Sequence, residues 1–145
     1  WLAFSLGAAS LQMALQPTGL ISEMMLWSKS AVLSAAVLGA AGVYQFSALK
    51  LACLAQCRSP LGFLTAHWRP GAAGSFVLGM RHGAYCVGCC WVLMALLFVG
   101  GIMNLVWIAA LSLIVFVEKI LPRGQQVGRV LGIVLIAWAG ATLLV

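Results

Sequence analysis

Between Gly83 and Val117 the chain carries no Asp, Glu, Lys or Arg. That run is far longer than the roughly 20 apolar residues of one membrane crossing. Two crossings joined by a tight turn at Gly100-Gly101 fit it better than one. The same alternation of long apolar runs and short polar breaks extends along the rest of the chain. It marks segments from about Ser30 to Leu51, Gly83 to Val99, Ile102 to Val117, and Val127 to Val145. A further segment, Trp1 to about Gln16, ends at Pro17 and is short for a full span. Backbone polar groups in lipid need internal partners, so these spans are expected to be helices. The strict alternation of a transmembrane β-barrel is missing. The pattern therefore predicts an all-α, polytopic transmembrane helix bundle of four to five spans, in a single domain over residues 1–145. A first residue of Trp rather than Met reads as a fragment or processed product, with upstream helices to be expected.

Composition strengthens this picture. Hydrophobic residues make up 64% of the chain and charged residues only 7%, against roughly 25% charged in soluble domains. The net charge of +6 raises the question of nucleic acid. The eight Lys and Arg are spread between apolar segments and form no basic stripe, so no nucleic-acid partner is expected.

Where the charges fall predicts sidedness. Lys50, Arg58, Arg69 and Arg81 lie between the second and third segments with no acid among them. Glu118, Lys119, Arg123 and Arg129 lie between the fourth and fifth. The positive-inside rule puts both connections in the cytoplasm. Within the first of them, Leu61 to Trp68 is apolar and fits either a short interfacial helix with Trp68 at headgroup depth or an ordinary loop.

The candidate chemistry sits at that same side. Cys53 and Cys57 are four apart at the end of the second segment. Cys86, Cys89 and Cys90 follow His82 at the start of the third. At about 100° per residue, Cys89, His82, Cys86 and Cys90 project near −20°, 0°, 40° and 80°, on one helix face. His82 and Cys90 are roughly 12 Å apart along the axis, so one ion uses a subset of the donors, or two ions bind. Thiolates suit Cu(I) or Zn(II), and imidazole suits both. Met94 and Met103 add thioethers that tilt the choice toward copper. The plain alternative is that these cysteines only pack helices. Cytoplasmic thiols stay reduced, so structural disulfides are not expected. A thiol–disulfide oxidoreductase becomes the stronger reading if the sidedness is inverted. The absence of a C-x-x-C-H run argues against a c-type haem.

Other polar residues point to structure. Glu118 reads as a flanking pair with Lys119 at the interface, with a ligand or proton site as the alternative, Asn104 as a helix cap, and His67 as solvated or interfacial. Gly39 to Gly42 and Gly128 to Gly132 offer small-residue surfaces for close helix packing.

Several of these motifs occur together in one known group. Lys50 to Cys53, Cys57-Arg-Ser-Pro-Leu61, Gly79-Met-Arg-His82-Gly83 and Cys86-Val-Gly-Cys89-Cys90-Trp91 resemble the bacterial family catalogued as domain of unknown function 2182. Met103-Asn104, Trp107 and Glu118-Lys119 continue the likeness, which runs from Tyr44 to roughly Gly132. The family is described as predicted metal-binding integral membrane proteins. The resemblance implies a multi-pass protein of the bacterial inner membrane that binds metal through the same His and Cys residues.

Together these readings predict a membrane protein that binds copper, or zinc, through His82, Cys86, Cys89, Cys90, Cys53 and Cys57. Its work would be metal handling or metal-dependent redox chemistry. Its partners would be the lipid bilayer and either a membrane protein or a second copy. The competing readings are an accessory subunit of a larger membrane complex and a membrane thiol–disulfide oxidoreductase.

Overall fold

A computed structural model describes residues 1–19, 21 and 28–144. Glu23 and Met24-Met25 lie outside the described residues. Within those residues the chain is all-helical and has no strand. The order is α1 (Leu2–Leu15), a 3-10 turn (Gln16–Thr18), α2 (Ala31–Tyr44), α3 (Ala48–Arg58), α4 (Pro60–His67), α5 (Ala72–Ala95), α6 (Leu97–Gly100), α7 (Leu105–Ile120) and α8 (Gly124–Leu144).

Side-chain caps start three of these helices. Ser30 Oγ accepts from the Leu33 amide, Ser47 Oγ from the Lys50 amide, and Asn104 Oδ1 from the Trp107 amide. Each satisfies one of the amides that a helix start leaves unpaired, and Asn104 has the capping role its position suggested. Gly101 closes α6 with φ 83°, a left-handed turn that a side chain would strain.

The expected spans are altered in two places. The segment read as one helix from Ser30 to Leu51 is two, α2 and α3, bent by 66° at the break. The cause is local: Ser47 caps a new helix where the first one ends. The polar stretch ahead of Gly83 is not a long loop either. α4 fills part of it, and α5 begins at Ala72, so α5 and α6 together run 29 residues to Gly100. Arg81 and His82 mark where this helix turns polar rather than where it starts.

By length and apolar character, α5–α6 and α8 are each sufficient to cross a membrane, and the bent α2–α3 pair makes up to three. That is fewer than the four to five expected. α7 has 16 residues and α1 has 14, both below the roughly 17–25 residues usual for a span.

α2 and α8 form the closest helix pair, and glycine makes the contact possible. A Cβ at Gly42 would stand 2.6 Å from Ile136 Cγ1 and 2.8 Å from the Gly132 carbonyl oxygen. A Cβ at Gly132 would meet Phe46 Cε2 at 2.8 Å. The two glycine surfaces read from the sequence thus face each other, as small residues do where helix backbones approach. Beside them Leu38, Ala41, Val92, Leu93, Leu96, Leu111, Leu135 and Ala139 make the main core.

Candidate metal centre

α3 and α5 carry every cysteine in the chain. They run antiparallel, since Cys57 meets Cys86 while Cys53 lies against Gly88. A Cβ at Gly88 would stand 2.8 Å from Cys53 Sγ, so glycine is what admits this sulfur to the helix interface. Cys53, Cys89 and Cys90 are buried there with Leu54, and Cys57 and Tyr85 pack against them.

The outer end of this interface holds the most compact donor set. One donor atom each from Cys57, His82 and Cys86 lies within 4.8 Å of the other two, and all three residues are half-buried. His82 Nε2 is 3.6 Å from Cys86 Sγ. Its Nδ1 is buried and has no hydrogen-bond partner among the described residues. Phe63 of α4, itself buried, sets the ring orientation: it lies 5.2 Å from the His82 ring, 4.7 Å from His67 and 5.7 Å from Tyr85. Sequence reasoning missed Phe63. Its only signal was an aromatic residue within the apolar run before Trp68. His67 stacks on Phe63 rather than being simply solvated, and its Nδ1 lies 3.1 Å from the Phe63 carbonyl oxygen.

Cys57 and Cys86 are joined as a disulfide with Cα atoms 5.6 Å apart, within the usual range. This departs from the expectation that the thiols remain separate. The reason is geometric, because antiparallel packing sets these two positions face to face. Sidedness read from charges carries no information on that register. A disulfide sulfur has no thiolate to offer, and the thiolate is the metal ligand. Metal binding by this trio and the disulfide are therefore alternative states of the same atoms.

Cys89 and Cys90 lie deeper. Their sulfurs donate to one acceptor, the Cys86 carbonyl oxygen, at 3.2 and 3.0 Å. Cys53, Cys89 and Cys90 form no disulfide. The six donors named from the sequence thus occupy one interface, with Cys57, His82 and Cys86 gathered at its rim and the other three inside.

One turn further along α3 from Cys53 the chemistry changes. Lys50 Nζ donates to Glu118 Oε1 at 3.0 Å and Oε2 at 2.8 Å, and also to Gln45 Oε1. Lys50, Glu118 and Gln45 are each only 2% exposed. This corrects the reading of Glu118 as the partner of Lys119 at an interface. α7 turns Glu118 inward to the one cation on α3 that is fully buried, beneath Gly128, where a Cβ would stand 3.1 Å from Glu118 Oε1.

Compared with known protein families, the chain matches one described as PpoB2, a copper chaperone, over residues 1–142. The chain belongs to the PpoB2 copper chaperone family. The match corrects the resemblance to domain of unknown function 2182 drawn from the motifs, and it takes in α1, which that resemblance left out. No curated protein and no solved structure matches the chain. Copper binding fits both the PpoB2 family and the Cys-His-Cys group. Thiolate and imidazole suit copper, and His82 already turns Nε2 toward the Cys86 sulfur.

Proposed function

We propose that this chain is an integral membrane copper chaperone that takes its cargo at Cys57, His82 and Cys86. The observation carrying the reading is the convergence of those three soft and borderline donors within 4.8 Å, in a chain of the copper chaperone family. Copper here is cargo, so a half-buried site at the rim suits it better than a closed one, because partners must reach the ion to exchange it.

Membrane insertion is supported by what the helices leave outside. Leu105, Val106, Leu113 and Phe116 on α7, with Val130, Ile133 and Val134 on α8, are exposed. Soluble proteins do not present contiguous apolar surfaces of that kind. In this reading α2–α3, α5–α6, α7 and α8 lie in the bilayer. At 1.5 Å per residue, the 29 residues of α5–α6 reach about 43 Å, more than the roughly 30 Å hydrocarbon core. With Gly100 at one edge of the core, His82 stands about 27 Å along the helix, near the opposite edge, and Cys86 about 6 Å further inside. Arg58, Arg69 and Arg81 favour the cytoplasmic side for that opposite edge, in a bacterial inner membrane, with an exchange partner there.

The Cys57–Cys86 disulfide supports a second reading, a thiol–disulfide oxidoreductase with His82 beside the reactive sulfur. Elemental analysis of detergent-purified, thiol-reduced protein separates the two. Copper in the wild type, lost from the Cys57→Ser, Cys86→Ser variant, supports the chaperone. A metal-free wild type that forms a trappable mixed disulfide through Cys57 or Cys86 overturns it in favour of the second reading.

A further inference from the structure

The two helices that carry Phe63 and His82 enclose a basic cavity where the chain passes from one to the other. α4 ends at His67, and the chain turns back through Trp68 and Arg69 to start α5 at Ala72. Gly71 makes the turn with φ 89°, a conformation that a side chain would strain. Gly74 then lets the turn lie against α5, because a Cβ there would stand 2.6 Å from the Arg69 carbonyl oxygen. Leu78 and Arg81 follow Gly74 by four and seven positions, so all three share one face of α5. The cavity between that face and the end of α4 measures about 210 Å³, and His67, Trp68, Arg69 and Arg81 all line it.

Its charge is not answered by the protein. Glu118, the one acid among the described residues, is committed to Lys50. No carboxylate among the described residues therefore pairs with Arg69 or Arg81, and both side chains are exposed. Two guanidinium groups at one cavity, each a planar fork of donors, suit an anion with several oxygens, a phosphate above all.

Depth selects the source of that phosphate. Arg81 is one residue beyond His82, at the edge of the hydrocarbon core, and Gly74 is about 10 Å further out. The cavity therefore occupies the headgroup layer. Exposed Trp68 beside it is of the residue type enriched at that depth. The volume is below the roughly 300–1,000 Å³ of pockets that enclose whole ligands, as fits a headgroup whose acyl chains stay in the bilayer. Basic pockets at the cytoplasmic ends of membrane helices hold anionic headgroups in this way.

We propose that Arg69 and Arg81 bind the phosphate of an anionic phospholipid in this cavity. The site rests on the membrane insertion proposed above and is independent of copper. A headgroup bridging the two arginines ties the end of α4, whose Phe63 orients His82, to the helix that carries His82.

The test is native mass spectrometry of the detergent-purified chain, titrated with phosphatidylglycerol, phosphatidylcholine or inorganic phosphate. Arg69→Gln with Arg81→Gln removes the pair. Arg123→Gln with Arg129→Gln removes the same charge around the start of α8, away from the cavity. The expected result is one phosphatidylglycerol held per chain, weakened by about tenfold or more in the cavity variant and by less than about twofold in the control. Arg81→Lys keeps the charge but not the fork and serves if the double variant fails to fold. A loss of about threefold is expected from it, and no loss contradicts the proposal. Equal weakening in both double variants overturns the site, since net charge alone then draws the phosphatidylglycerol. Phosphatidylcholine held as tightly as phosphatidylglycerol also overturns it, because a zwitterionic headgroup needs no unanswered cations. Inorganic phosphate that displaces phosphatidylglycerol at equal concentration overturns the lipid assignment in favour of a free anion. Alkaline carbonate extraction of cell membranes checks the underlying reading separately. Chain released by it overturns membrane insertion, whereas chain retained without cavity-dependent phosphatidylglycerol overturns only this site.

Discussion

α3 supports two clusters within two turns of each other, one buried and one half-buried, and they are built on different principles. Around Lys50 the carboxylate of Glu118 and the carbonyl oxygen of Gln45 meet the ammonium group, so the charge is answered inside the protein. Around Cys57 and Cys86 a ring nitrogen of His82 is left without a partner among the described residues, and two sulfurs are bound only to each other. A set whose charges are answered holds helices together, even though Gln45 Nε2 within it has no hydrogen-bond partner among the described residues. A set with spare donors at a half-buried rim has capacity for something that comes and goes.

Breaking the Lys50 cluster should therefore damage the fold, and breaking the cysteine rim should damage only copper binding. Glu118→Ala leaves a buried ammonium unpaired, and the expected loss is about 3–5 kcal/mol of stability, read by denaturant or thermal unfolding in detergent. Lys50→Met combined with Glu118→Leu should recover most of it, because a buried pair is often replaceable by apolar groups. A single variant as stable as the wild type would mean that the pair is not buried from water as described.

Gly42→Leu tests the neighbouring α2–α8 contact. The new side chain meets Gly132 and Ile136 at under 3 Å, and a cost of about 1–3 kcal/mol is expected from overpacking. Copper uptake measured on the surviving folded protein should be unchanged, since α8 contributes no donor.

At the rim the expected effects reverse. His82→Ala should lower copper affinity by about 10–100-fold while unfolding shifts by about 1 kcal/mol or less, within the range of half-buried substitutions. Oxidising Cys57 and Cys86 to the disulfide should abolish rim loading outright, and reduction by a dithiol should restore it, followed as copper retained on desalting. The smallest effect belongs to Phe63→Leu. It loosens the orientation of His82, and a loss of copper affinity up to about tenfold is expected, as for residues that orient a ligand.

These two clusters were not equally legible in the sequence. Cys86, Cys89 and Cys90 follow His82 at helical spacing, and that periodicity alone sets them on one face. Cys57 could be assigned to the neighbouring helix end, but its pairing with Cys86 depends on the register of two antiparallel helices, which no local pattern encodes. Lys50 and Glu118 were harder still. A charge at the edge of an apolar run looks the same whether it faces headgroups or a buried partner 68 positions away. The break after Tyr44 was hidden because only Gln45 separates it from apolar Phe46, and only the capping position of Ser47 marked a new helix. The helical class itself was plain, since long apolar runs leave backbone groups no other way to pair.

The most direct test is copper X-ray absorption on the thiol-reduced chain loaded with a single equivalent. The account predicts sulfur and nitrogen neighbours together, with the nitrogen lost in His82→Ala. A wild-type spectrum unchanged by His82→Ala and by Cys57→Ser with Cys86→Ser would contradict it, because the copper would then be held elsewhere.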